Sequence, residues 1–290
     1  MNVLRRALSR TARSLAAWPL RLLAPGQRAD VLDRASTGMI TVTEIPGGHI
    51  KFFTPAPLLI HRALTVLTKE ADTIRWIDGF ADGDVLWDVG ANVGVFSLYA
   101  AVRKRISVHA FEPSAANYFV LTRNIQLNDV SSWVTAYCVA LADRTQLGLL
   151  NMPSPTMGSA LSQFGKLGDA SPWASPSRAA VHGMLGYSID DFLSQFNPLF
   201  PNHLKLDVDG IELSILKGAQ ATLKDPRLKS LLVEVNLNDS DEKNQMFEIV
   251  RAAGFSLKSQ GDIQETVAAK GANHLFEKTL HADHNARIPS

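Results

Sequence analysis

The chain has 290 residues, 46% of them apolar and 20% charged, with a net charge of +1. That length and composition allow one large globular domain with appendages. The near-neutral balance speaks against a nucleic-acid binder, which carries a marked basic excess. One cysteine, Cys138, excludes an intramolecular disulfide and fits a reducing, cytoplasmic compartment.

No run of eighteen apolar residues occurs, so no spanning helix is expected. The N-terminal segment, 1–34, is basic and amphipathic. Arg5, Arg6, Arg10, Arg13, Arg21 and Arg28 precede the first acid, Asp30, and Leu4, Leu8, Leu15 and Trp18 give an apolar side up to Pro19. The arginines interrupt any signal-peptide core. The pattern suits peripheral contact with an anionic membrane at its cytoplasmic face. An organelle transit peptide and a solvated, locally docked helix are competing readings. Over 35–80, Gly47-Gly48 between two β-prone runs predicts a hairpin, and apolar spacing predicts a helix from Leu58 to Phe80.

Val85 to Val89 is β-prone and apolar. It turns on Gly90 and Gly94 into an apolar run, Val95 to Val102, that reads as a buried helix. A strand breaking on glycines into a helix is the opening turn of a doubly wound sheet, and it brings backbone N–H groups to a ligand. The middle glycine of a dinucleotide fingerprint is replaced by Asn92, and no Lys-Ser/Thr pair follows Gly94. The turn therefore reads as built for a ligand without phosphates. Asp88 would repel a pyrophosphate but suit an ammonium or sulfonium group. Ser107 to Phe111 is the next strand, and Glu112 ends it near the position, about 20 residues on, of an acid that grips a ribose diol. A ribose-bearing, phosphate-free cation is S-adenosylmethionine (SAM).

Asp88-Val89-Gly90-Ala91-Asn92-Val93-Gly94 with Phe111-Glu112-Pro113 resembles the FkbM family of SAM-dependent methyltransferases. The segments Asn124 to Asn128, Lys205 to Glu212 and Val233 to Asn236 follow the same family pattern, so that the resemblance runs from about Thr68 to Lys278. It implies an α/β, Rossmann-like class I methyltransferase fold over 81–280, with a mostly parallel seven-stranded sheet and an antiparallel last strand. It implies that the 35–80 appendage shapes the acceptor entrance. It also implies O-methylation of a hydroxyl on a sugar, glycolipid or other small-molecule acceptor. Asp88, Gly90, Asn92, Gly94 and Glu112 are the expected SAM-binding residues.

Further along, Ala115 to Leu127 reads as a helix and Trp133 to Ala140 as the third strand, with Cys138 a small core residue on it rather than a nucleophile. Asp143 follows that strand's C-terminal end, where it could bond the adenine amino group or simply serve a turn. Residues 146–186 break the alternation. Leu147 to Leu150 and Ala179 to His182 suit a hairpin, with Met152 to Ser177 as an inserted lid or a disordered loop. His182 is either structural or site-directed. Ser188 to Leu193 reads as a capped helix.

In Leu204-Lys205-Leu206-Asp207-Val208-Asp209 the apolar residues share one face and the charges the other. A central parallel strand is normally apolar on both faces, and buried charges are costly unless paired or at a ligand site. Lys205, Asp207 and Asp209 are therefore the expected acceptor-handling residues, one of them a general base. A structural ion pair plus a helix cap is the competing reading. A metal held by Asp207, Asp209 and Glu234 or Asn236 is a lesser option, because no spacing demands it. Ile211 to Leu223 reads as a helix, Leu231 to Asn236 as the fifth strand, and Met246 to Ala253 as a helix. Phe255 to Lys258 and His274 to Glu277 complete the sheet, and 281–290 reads as a flexible tail. A non-catalytic SAM- or nucleotide-binding module and a nucleotide-sugar or NAD enzyme are the competing functional classes. Asn92 weakens the last of these.

Overall fold

The computed structural model describes residues 20, 22–166, 180–265 and 270–278. The basic stretch before Pro19, most of the inserted segment beyond Lys166 and the tail lie outside the described residues.

Helix α1 (Pro25–Thr37) precedes a hairpin of β1 (Ile40–Ile45) and β2 (Gly48–Phe53). The hairpin turns at Pro46-Gly47, with Gly47 at φ 82°, the left-handed position a type II turn reserves for glycine. Two helices follow, α2 (Pro57–Leu64) and α3 (Ala71–Asp78), where one helix from Leu58 to Phe80 was expected. Thr65 ends the first by donating its hydroxyl to the carbonyl of His61 (2.8 Å), the back-bonding by which threonine competes with helix continuation.

The sheet domain then alternates β3 (Val85–Val89), α4 (Val95–Lys104), β4 (Ser107–Phe111), α5 (Ala115–Leu127) and β5 (Val134–Tyr137). A side sheet interrupts it: β6 (Ala140–Leu141), β7 (Gln146–Met152), β8 (Gln163–Lys166) and β9 (Ala180–Tyr187). The alternation resumes with α6 (Ile189–Phe196), β10 (His203–Leu206), α7 (Glu212–Lys217), α8 (Gln220–Lys224), β11 (Ser230–Asn236), α9 (Ser240–Ala252), β12 (Phe255–Gln260), β13 (Gln264–Glu265) and β14 (Lys270–Lys278).

The central sheet runs β12-β14-β11-β10-β3-β4-β5, with β13 added on β14. Strands β5, β4, β3, β10 and β11 are mutually parallel, and β14 is antiparallel to both its neighbours. The chain leaves β3 toward β4 on one side and returns to β10 on the other. The crevice outside the C-terminal ends of β3 and β10 is thus the switch point where such sheets bind ligands.

All five residues of β3 are buried, as expected for a strand covered on both faces. Leu86 faces a core that includes Ile50, Phe52, Ala63, Ile77 and Leu98, so the hairpin and α2–α3 share their core with the sheet. Trp87 and Val89 face the other layer, with Ile189, Leu204, Leu216 and Val233. At the N-terminal edge His203 bridges Ser230 (2.7 Å) and Asp84 (2.9 Å), a satisfied polar brace.

Three local expectations change. The third strand stops at Tyr137, and Ala140-Leu141 pairs instead with β9. Cys138 follows that break and is exposed rather than core. The helix expected from Ile211 to Leu223 is two, parted at Gly218, where a Cβ would meet the Ala142 carbonyl at 2.3 Å. The hairpin of 146–186 is present as β7 and β9, with Leu150 opposite His182, and β8 pairs on the other side of β7.

Candidate active site

The glycine turn after β3 is held from below and behind. Gly90 and Gly94 adopt φ 85° and 87°. A Cβ on Gly90 would lie 1.8 Å from the carbonyl oxygen of Asp207, so glycine is what lets the turn and the end of β10 touch. Asn92 is also left-handed, at φ 50°, a conformation asparagine tolerates better than most residues. Its backbone N–H donates to Oε2 of Glu112 (2.8 Å). Oε1 of Glu112 accepts from the N–H of Ser114 (2.8 Å) and from Asn117 Nδ2 (3.4 Å). Burial outweighs these bonds and pushes Glu112 up to about 7. A carboxylate offers about four lone-pair sites, so one on Oε2 is left over. Asp88 lies beneath the turn, fully buried, its Oδ2 accepting from Ser97 Oγ (2.6 Å). Burial raises its pKa against the pull of Lys205. Oδ1 of Asp88 and Oδ1 of Asn92 are buried without a partner among the described residues; Asn92 lines the cavity and is able to meet a ligand's donors, whereas Asp88 lines none of the cavities described below.

The second part of the site is the C-terminal end of β10. Lys205 Nζ lies 2.5 Å from Asp207 Oδ2 and 4.9 Å above the Phe96 ring. Burial works against the ammonium, but the carboxylates of Asp207, Glu70 and Asp88 outweigh it and raise its pKa. Asp207 is held low in spite of burial, by Lys205 and by a hydrogen bond from Glu234. Glu234, on β11, is pushed up to about 9, first by the charge of Asp207 and then by burial. Asp209 behaves oppositely to Asp207: burial and the Asp207 charge push it up to about 6. It sits at φ 62°, and its loop is fixed by Glu212, whose two oxygens accept from the N–H groups of Val208 (2.8 Å) and Gly210 (3.0 Å).

A cavity of about 250 Å³ opens between the two parts. Its walls include Gly90, Asn92, Lys205, Asp207, Asp209 and Glu234, with Arg62, Lys69 and Glu70 contributed by α2 and the turn after it. The chain between β7 and β8 lies across the side lined by Asn92. Asn92 Nδ2 and Asn117 Nδ2 both donate to the carbonyl of Ser159 (2.9 and 3.1 Å). The N–H of Leu161 donates to Asp209 Oδ2 (2.6 Å). Beside Glu112 this segment leaves a space of about 40 Å³; beside Phe164 it leaves about 20 Å³.

The structure thus brings together Gly90, Asn92, Glu112, Lys205, Asp207 and Asp209, with Asp88 and Gly94 underneath. Gly94 packs on Leu121. It does not bring Asp143 to these cavities: that residue is exposed beside Arg144 (3.7 Å). His182 lines none of them. Sequence reasoning passed over Arg62, Lys69 and Glu70; charged residues in an amphipathic helix read as a solvated face, and no local signal distinguishes them. No group of His, Cys, Asp and Glu among the described residues has metal-binding geometry.

A parallel sheet with one antiparallel strand between its last two, and a glycine turn at the switch point, is the architecture of class I SAM-dependent methyltransferases. The profile of the methyltransferase FkbM domain matches residues 88–257, and the chain belongs to that family, whose cofactor is SAM. Among its relatives, Methyltransferase 1 of Beauveria bassiana is 28% identical over 148 residues, 48% of this chain and 59% of the relative. The 31-O-demethyl-FK506 methyltransferase FkbM of Streptomyces tacrolimicus is 24% identical over 62% of this chain and 75% of its own. The hexuronic acid methyltransferase AglP of Haloferax volcanii is 26% identical over 59% and 64%. The chain therefore spans less than two thirds of the first and third of these relatives.

Proposed function

We propose that the chain transfers a methyl group from SAM to a hydroxyl oxygen of a sugar, glycolipid or other small-molecule acceptor. The observation that carries this reading is the divergence of two neighbouring carboxyls facing one cavity. Asp207 is held ionised, and Asp209 is poised at about 6. Environments that push paired acids apart assign their roles. The names of two relatives, one an O-demethyl compound's methyltransferase and one acting on a hexuronic acid, favour oxygen as the acceptor atom.

Bound SAM supplies an electrophilic methyl on a sulfonium. The turn at Gly90, Asn92 and Gly94, with Asp88 beneath it, would hold the methionine end. The remaining lone pair of Glu112 would accept from a ribose hydroxyl. Asp207 stays ionised and favours the cationic centre. Asp209 takes the acceptor hydroxyl's proton, because its pKa lies closer to the working pH than that of Asp207. Lys205 and Glu234 position Asp207 from two sides. The cavity aligns the two reactants, which accounts for much of the rate in such transfers. The segment 158–162, ahead of β8, would act as a lid: the spaces of about 40 and 20 Å³ beside it are too small for a nucleoside, so it would have to retract for cofactor entry. The basic N-terminal stretch gives peripheral membrane contact at a cytoplasmic face. No helix among the described residues is long and apolar enough to cross a membrane.

The test is calorimetric titration of the protein with SAM, with NAD as control, followed by detection of S-adenosylhomocysteine in the presence of sugar and glycolipid acceptors. Saturable SAM binding and acceptor-dependent product are expected. Silence toward SAM would remove the reading, and SAM binding without turnover on any hydroxylated acceptor would leave a binding module.

A further inference from the structure

Three cations line the cavity beside the glycine turn. Two are committed to carboxylates: Lys205 to Asp207 at 2.5 Å and Lys69 to Glu70 at 3.3 Å. Arg62 is different. It stands in the last turn of α2, and among the described residues no carboxylate lies within ion-pair distance of it. Its Nε donates to the carbonyl of Gly158 (2.8 Å). A guanidinium has five N–H donors in a planar fork; Arg62 lines the cavity, and its terminal amino groups have no hydrogen-bond partner among the described residues. Burial works against its charge, and Asp207 and Asp209 support it only through space.

A half-buried guanidinium without a direct counter-charge is costly unless a ligand completes it. The group that fits the fork is a carboxylate, which can accept two parallel N–H bonds. The opposite wall already serves other chemistry: Asp207 and Asp209 suit a cation and a hydroxyl. A ligand spanning the cavity would therefore present a hydroxyl or a positive centre to β10 and a negative group to α2. The tether to Gly158 matters too, because the lid segment that carries Gly158 also carries Ser159 and Leu161, which bond Asn92, Asn117 and Asp209. The fork is thus held at the rim where the lid, the cofactor turn and the acceptor carboxyls converge.

We infer that Arg62 binds the carboxylate of a ligand seated in this cavity. The inference rests on the methyltransferase reading, under which that carboxylate belongs either to the acceptor, a uronic acid or similar hydroxy acid, or to the methionine end of SAM. Arg62 discriminates charged from neutral ligands in both cases.

The experiment measures two matched pairs by calorimetry, on the full chain and on Arg62→Gln. One pair is SAM and decarboxylated SAM. The other is D-glucuronate and D-glucose, titrated into protein saturated with S-adenosylhomocysteine. The carboxylated member of one pair is expected to bind at least tenfold more tightly to the wild type. Arg62→Gln should abolish that preference while leaving the neutral member's affinity in place. Loss in the first pair assigns the carboxylate to the cofactor, and loss in the second assigns it to the acceptor. Arg62→Lys, which keeps the charge but not the fork, should retain part of the preference and guards against a glutamine variant that fails to fold. A wild type with no preference in either pair, or a preference that survives Arg62→Gln, overturns the assignment. A wild type that binds neither SAM nor S-adenosylhomocysteine fails at the earlier step, and the methyltransferase reading falls instead.

Discussion

The backbone amide of Asn92 donates to the carboxylate of Glu112 across 2.8 Å, joining the turn after β3 to the end of β4. Glu112 therefore holds the shape of the turn after β3, and under the proposed function its remaining lone pair would serve a ribose. Glu112→Ala should weaken SAM binding by about 1.5–3 kcal/mol, since it removes charge-assisted bonds and leaves the Asn92 and Ser114 amides unpaired. Calorimetric titration checks this; an unchanged dissociation constant would take Glu112 out of the site.

Asp209 should govern the acid limb of the rate profile. With its carboxyl pushed up to about 6 by burial and by Asp207, the turnover number should rise with pH through that region as the base is freed. Asp209→Asn should lower turnover by about 10²–10⁴-fold, the usual worth of general-base assistance, and erase the limb while SAM affinity holds. Steady-state kinetics across pH 5 to 8 give the answer.

Lys205→Met should be costly to the fold rather than to chemistry alone. The ammonium, 1% exposed, is the counter-charge shared by Asp207, Asp88 and Glu70. Removing one member of a buried pair typically costs about 3–5 kcal/mol. Urea denaturation at neutral pH should show a loss of that order, shrinking toward acid pH as the stranded carboxyls protonate.

Glu234 ties stability to pH with a definite sign. Its folded pKa, about 9, stands above the ordinary 4.5, so its contribution is complete below 4.5 and is lost as pH rises from there through about 9. The slope for one such group is at most about 1.4 kcal/mol per pH unit. Thermal midpoints should fall toward alkaline pH in the wild type, and Glu234→Gln should flatten that fall. A variant with the wild-type slope would place the titration elsewhere.

The parts of the site that are legible in the sequence are those whose cause is local. Gly90 and Gly94 stand out because a strand-to-helix turn needs their φ. Lys205, Asp207 and Asp209 stand out because charges alternate with apolar residues through a run that reads as a buried strand; the strand itself ends at Leu206, and Asp207 and Asp209 belong to the loop after it. The contribution of α2 is not legible, since Arg62 looks like any solvated arginine until the hairpin and α2 pack against the sheet. The upward push on Glu234 comes from the charge of Asp207 at the end of the neighbouring strand, which no spacing encodes. Asp143 illustrates the reverse: its position after a strand suggests a ligand contact, but the strand ends earlier and the side chain reaches solvent.

The side-chain amide of Asn124 accepts from the N–H of Phe53 in β2 (2.7 Å) and donates to the carbonyl of Val93 in the glycine turn (2.8 Å). Asn128, one helical turn on, grips both polar groups of Lys51 in the same strand (2.8 and 2.7 Å). One carboxamide therefore sets the register between the wall that carries Arg62 and the turn that carries Asn92. Hairpins transplanted from relatives to change acceptor preference would have to arrive with a strand that both asparagines can read. Without that match, a graft meant to alter the acceptor would displace the cofactor instead.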